Sequence, residues 1–147
     1  MTLNGTHADG TAAANAMNGL GGKDTIRSLG GNGTVKGGAG NERIEGELGD
    51  DRMLGDAGRE VMIGGFGGDS FVFGTGDRVT GFSAAQVDEI LFLASRGLDF
   101  GDIAVSSDRT GATIYVGGQT MRLEGATQPF DLGNHIKFDD QTSFDFL

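Results

Sequence analysis

Eight residues recur at intervals of nine along the first half of the chain: Thr6, Asn15, Asp24, Gly33, Glu42, Asp51, Glu60 and Asp69. Five are carboxylates, and glycine surrounds them, with 29 glycines in 147 residues. Carboxylate and carbonyl oxygens at the bends of a glycine-rich backbone suit a hard divalent cation, which takes roughly six to eight oxygen ligands at about 2.3–2.6 Å. The net charge of −10 attracts such ions and repels nucleic acid and anionic membrane surfaces. Cysteine is absent, which excludes thiolate metal sites and leaves oxygen donors and two histidines.

The carboxylates sit in a frame. Blocks of nine begin at residues 1, 10, 19, 28, 37, 46, 55 and 64 without insertion. The eighth position reads Ala8, Met17, Ile26, Val35, Ile44, Met53, Met62 and Phe71, apolar throughout. The fourth is glycine in the last six blocks: Gly22, Gly31, Gly40, Gly49, Gly58 and Gly67. Each block therefore divides into a six-residue glycine-rich turn and a three-residue strand, with position eight inward and positions seven and nine outward. Strands of stacked blocks would lie about 4.8 Å apart.

The last block, Gly64-Gly65-Phe66-Gly67-Gly68-Asp69-Ser70-Phe71-Val72, fits G-G-x-G-x-D-x-U-x at every fixed position. In this the chain resembles the RTX, or hemolysin-type, calcium-binding nonapeptide repeats. The resemblance implies an all-β, right-handed parallel β-roll in which two blocks make one turn and block n lies beside block n+2, with Ca²⁺ between stacked turns, held by a carboxylate from each turn and by backbone carbonyls. It pairs Asp51 with Asp69, with carbonyls from Gly46, Leu48, Gly65 and Gly67, as the best site. Asp24 with Glu42, and Glu42 with Glu60, are weaker because glutamate is one methylene longer. Gly33 opposite Asp51 is one carboxylate short, and the Thr6–Asp24 and Asn15–Gly33 pairs are poor or empty. About one or two good ions and two weaker ones are expected. The alternative is a degenerate glycine solenoid that needs no metal.

After Phe73 the period stops, dividing the chain into a roll over residues 1–73 and a β-rich cap over 74–147. Candidate strands in the cap cover residues 78–82, 89–94, 103–106, 113–116, 120–124 and 135–138, separated by turns at 108–111, 117–118 and 132–134. Val61, Ile63 and Val72 hold outward positions and are expected to lie beneath the cap. The cap resembles the tail that follows RTX repeats, which carries an uncleaved signal for the type I secretion apparatus; Phe144-Asp145-Phe146-Leu147 fits its acidic-then-apolar end. A secreted, extracellular protein is implied. No Sec-type leader is visible, and no apolar stretch approaches the ~20 residues of a membrane span. Met1 falls where the repeat expects glycine, so the chain is expected to start inside a longer protein.

No catalytic constellation is found, and the expectation is an accessory domain rather than an enzyme. His7 and His135 share no ligand spacing and are expected at the surface. No G-K-[ST] follows the glycines at 19–22, and Asp50–Asp51 belong to the repeat frame. One alternative function remains. Arg27, Lys36, Arg43 and Arg52 occupy outward positions and could form basic rungs for an acidic polysaccharide, as in the R-modules of alginate epimerases. Their other role is to balance the acidic turns.

Overall fold

The computed structural model describes residues 2–4, 7–93, 100–126 and 132–139. Two sheets face each other. One runs in the order β1 (Thr2–Asn4), β3 (Ala16–Gly21), β5 (Thr34–Gly40), β7 (Arg52–Gly58), β9 (Ser70–Val72), β11 (Glu89–Leu93) and β15 (Ile136–Asp139). The other runs β2 (His7–Thr11), β4 (Thr25–Leu29), β6 (Arg43–Leu48), β8 (Val61–Phe66), β10 (Arg78–Thr80) and then β14 (Gln119–Glu124), β13 (Gly111–Val116) and β12 (Ile103–Asp108). Odd- and even-numbered strands up to β11 thus alternate between sheets. This is a parallel β-roll, and block n does pair with block n+2: Ile26 with Ile44, Ile44 with Met62, Val35 with Met53, and Met53 with Phe71.

The core follows from the eighth column. All eight of those side chains are buried, and they join Val79, Ile90, Leu123 and Ile136 in one continuous cluster. Burying each aliphatic member contributes roughly 1.5–3 kcal/mol. Aromatic rings close the cluster at one end: Phe73 stacks on Phe92 with centroids 4.8 Å apart, and Phe82 packs between Phe71 and His135.

Three expectations need correction. The strands of blocks four to seven run to six or seven residues where they continue through the bend, because the glycine turns pair with each other as well. Gly38 partners Asp56, Ala39 partners Ala57, and Leu48 partners Phe66. The ladder also passes the expected boundary at residue 73: β10 and β11 add in parallel to β8 and β9, and β14 and β15 add in parallel above them. Among the described residues, only the β12–β13–β14 meander is antiparallel. Finally, Val72 is buried with Leu91, but Val61 and Ile63 are only half-buried. Every strand expected in the cap is present, whereas 132–134 opens a short helical turn, α1 (Leu132–His135). That turn brings half-buried His135 Nδ1 within 3.2 Å of the Asp88 carbonyl oxygen.

Candidate metal centre

The sixth position of each block lies where the backbone leaves the turn and enters the strand. Its carbonyl is tied into the ladder by the next residue of the coil above. Arg43, Arg52, Val61 and Ser70 N–H donate to the carbonyls of Asp24, Gly33, Glu42 and Asp51 at 2.7–2.9 Å. The side chain turns back into its own turn. Asp24, Glu42, Asp51, Glu60 and Asp69 are all at most 2% exposed, a burial that carboxylates tolerate only when paired, neutralised or bound to metal.

One oxygen of Asp51 and one of Asp69 have a fixed task. Asp51 Oδ1 accepts from Gly33 N–H (2.7 Å) and Asp69 Oδ1 from Asp51 N–H (2.9 Å). The other oxygens of Asp51 and Asp69, and both oxygens of Glu42 and Glu60, are buried without a hydrogen-bond partner. Burial is the main reason these carboxyls titrate high. Asp69 is pushed up to about 7, with Asp88, Asp51 and Asp50 adding repulsion. Glu42 is also pushed up to about 7, by burial and then by Asp24, Asp77 and Asp56. Burial raises Glu60 too, helped by Asp77 and Glu42, and burial raises Asp51. The structure thus brings together the acidic neighbours expected from the repeat; Thr6 lies outside the described residues.

Two acids were missed. Asp77 Oδ1 accepts from Glu60 N–H (3.1 Å) and Asp88 Oδ1 from Asp69 N–H (2.9 Å). Both are 1% exposed, and burial raises both. They continue the two acidic columns at spacings of 17 and 19 residues rather than 18, which hides them from a strict count of nine. The readable signal is the triplet of an acid, any residue and a buried apolar residue: Asp77-Arg78-Val79 and Asp88-Glu89-Ile90 repeat Asp69-Ser70-Phe71. One column stops above Asp77, where Arg122 N–H donates to the Asp77 carbonyl (2.9 Å) and the preceding residue is buried Met121.

The carbonyls alternate in direction. A Cβ on Gly65 would overlap the Glu47 oxygen, and one on Gly67 the Gly49 oxygen, so carbonyls at positions two and four point to the coil above. A Cβ on Gly46 would fall 2.6 Å from the Gly64 oxygen, and Gly49 N–H donates to Phe66 O (2.9 Å), so positions one and three point to the coil below. The gap between blocks six and eight is therefore lined by carbonyls of Glu47, Gly49, Gly64 and Phe66. This differs from the expected set of Gly46, Leu48, Gly65 and Gly67: by the same alternation Gly46 and Leu48 face the gap below, and Gly65 and Gly67 face the coil above, where Gln86 Nε2 donates to the Gly65 oxygen (3.4 Å).

A complementary exchange occurs in block four. In each block with an acid at position six, glycine at position one makes room for it: a Cβ on Gly46 or Gly64 would overlap Asp51 or Asp69. Block four has Ser28 at position one and Gly33 at position six, and a Cβ on Gly33 would overlap Ser28 Oγ. Ser28 is wholly buried, and its hydroxyl helps to hold the Asp51 carboxyl down against the effect of burial.

Among the described residues, no three acidic or imidazole side chains converge on one point. A cation between coils must therefore be completed by backbone oxygens. Oxygen-only donors, unpartnered buried carboxylate oxygens and inward carbonyls fit Ca²⁺ and do not fit a thiophilic metal. The family model for the RTX calcium-binding nonapeptide repeat matches residues 7–35 and 36–71. Residues 7–71 are RTX calcium-binding nonapeptide repeats. A solved structure, the solution structure of the AlgE6R3 subunit from the Azotobacter vinelandii mannuronan C5-epimerase, is similar at 24% sequence identity and a TM-score of 0.49, covering 97% of this chain and 81% of that one. No curated protein gives a significant sequence match.

Three of the outward bases of the RTX repeats, Arg27, Lys36 and Arg43, are matched by acids. Arg27 faces Glu45 (3.3 Å), Glu47 (3.8 Å) and Asp9 (3.9 Å), Arg43 faces Glu45 (2.6 Å), and Lys36 faces Asp56 (3.4 Å). The outward bases are also divided between the two sheets, with Arg27 and Arg43 on β4 and β6 and Lys36 and Arg52 on β5 and β7.

Proposed function

We propose that this roll closes on Ca²⁺ and that closure is its function: it folds outside the cell, stabilising a secreted parent protein and assisting its export by the type I route. What supports the reading is the set of buried carboxylate oxygens without partners. Bound Ca²⁺ supplies a compact double positive charge that neutralises facing carboxylates and takes up carbonyl lone pairs. The residues that would hold it are Asp51 and Asp69 with the carbonyls between blocks six and eight, then Asp24 with Glu42 and Glu42 with Glu60. Asp77 and Asp88 extend the same two columns. Because the sites form only when coils stack, binding energy becomes folding energy.

Extracellular calcium modules bind at about 10⁻⁴–10⁻³ M, well above resting cytosolic concentrations. Inside the cell the acidic chain would stay open for export; outside, the coils fill. The part of the tail expected to carry the export signal, Phe144 to Leu147, lies outside the described residues. Among the described residues no helix is long and apolar enough to cross a membrane. The polysaccharide alternative is the weaker reading, because Arg27, Lys36 and Arg43 already face acids.

Isothermal titration of calcium into the wild type and Asp69→Ala tests the assignment. The variant should lose the tightest site, with a loss of at least tenfold in affinity at that step. Identical isotherms would remove Asp69 from the ligand set, and no heat from the wild type would remove the calcium function.

A further inference from the structure

Asn15 occupies the sixth position of block two, where the repeat pattern calls for an acid. Its side-chain amide is placed unlike any of the carboxylates. Two hydrogens on Nδ2 are shared among four backbone oxygens within hydrogen-bond distance: Thr11 (3.1 Å) and Ala13 (2.5 Å) in its own turn, and Ser28 (2.9 Å) and Gly30 (3.4 Å) in the turn stacked above. These are positions two and four of the lower block and one and three of the upper. The same four positions line the gap between blocks six and eight, as Glu47, Gly49, Gly64 and Phe66. Oδ1 accepts from Thr11 N–H (3.0 Å) and Thr11 Oγ1 (3.2 Å). A carbonyl oxygen could not face four other oxygens, so this network fixes which end of the amide points into the gap.

We infer that the Asn15 amide takes the place of the cation between blocks two and four, so that this gap closes without metal and Asn15 helps to set how many ions the roll takes up. The inference rests on the calcium reading of the other gaps. Converging carbonyls repel one another unless something electropositive lies between them. In the acidic gaps that partner is a cation once the carboxyls are ionised, because the sixth position is then itself negative. Here Gly33 adds no acid from above, and Asn15 supplies two polarised hydrogens and no charge. Four acceptors shared by one NH₂ group need no counterion. The consequence is a coil pair that keeps its register when calcium is absent and offers its upper edge to the next coil. A repeat array can grow from such a pair, because each unit is stabilised by its neighbour.

Aspartate at residue 15 would replace donors by acceptors and leave the same four carbonyls facing a negative group. Asn15→Asp should therefore convert the gap into a calcium site, whereas Asn15→Leu should break it without creating one. Two readouts distinguish these outcomes: the number of calcium ions retained in native mass spectrometry, and amide hydrogen exchange at Gly30 and Thr34, whose N–H groups bridge blocks two and four through Thr11 O and Asn15 O. In EGTA the wild type should protect Gly30 and Thr34 at least tenfold more than Gly49 and Ser70, which bridge blocks six and eight. Asn15→Asp should lose that protection in EGTA, regain it in calcium, and bind one ion more than the wild type. Asn15→Leu should lose protection in both conditions and gain no ion at this gap.

An unchanged ion count in Asn15→Asp, or equal exchange at the two gaps in calcium-free wild type, overturns the inference. A wild type that binds no calcium overturns the calcium reading itself, and Gly30 and Thr34 exchange in Asn15→Leu then decides alone whether the amide closes the gap.

Discussion

At the scale of single residues, the second position of the turn carries a cost that the repeat consensus avoids. Gly38 and Gly65 take it with φ of 106° and 109°, but Leu20, Leu29, Glu47 and Asp56 stand there at φ of 69° to 80°. Left-handed backbone at a residue with a Cβ costs on the order of 1 kcal/mol or more. Leu20 is half exposed, so little packing is lost on its removal. Leu20→Gly should raise the melting temperature of the calcium-saturated protein by a few degrees, for a gain of about 1 kcal/mol after the greater chain entropy of glycine is subtracted. Differential scanning calorimetry in excess calcium checks this; a lower melting temperature would show that the Leu20 side chain does more than its exposure indicates.

At the scale of the turn and strand, the nine-residue frame was legible because each of its columns has one physical duty. Position eight fills the core, position four bends the chain, and position six ends in the acidic column. Met17, Ile44 and Phe71 were therefore placed from spacing alone. The extra acids Asp77 and Asp88 were not, since spacings of 17 and 19 keep the stacking in space while breaking it in sequence. Nor were the carbonyl donors, because successive peptides alternate in direction and the residue types carry no mark of which way each carbonyl points. The Ser28–Gly33 exchange shows a duty moved between columns. Gly33→Asp alone should destabilise the protein by about 1–3 kcal/mol, because its Cβ would overlap Ser28 Oγ and lie 2.7 Å from Asp51 Oδ1. Ser28→Gly together with Gly33→Asp should recover most of that loss in calcium and tighten binding between blocks four and six. A double-mutant cycle of denaturant midpoints in calcium measures the coupling; additive effects would mean that the two positions do not share one space.

At the scale of the whole molecule, two acidic columns run inside a chain of net charge −10, and stability should depend on pH in opposite senses with and without metal. The buried carboxyls titrate above their ordinary values, with Glu42 and Asp69 near 7, so the calcium-free fold binds more protons than the unfolded chain between about pH 4 and 7. Stability from this source is complete below the unfolded values near 4 and is lost as pH rises through 7. In EGTA the melting transition present at about pH 5 should move to lower temperature as the pH rises and be largely lost by about pH 8. Saturating calcium should abolish or reverse this shift, because the ion binds the deprotonated carboxylates. The most direct test of the account is far-UV circular dichroism of the metal-stripped chain at pH 7.5, followed through addition of calcium. The account predicts a largely unordered spectrum, apart from a small residual β signal, that converts to a full β spectrum as calcium reaches the millimolar range. A full β spectrum in EGTA that calcium leaves unchanged would contradict it.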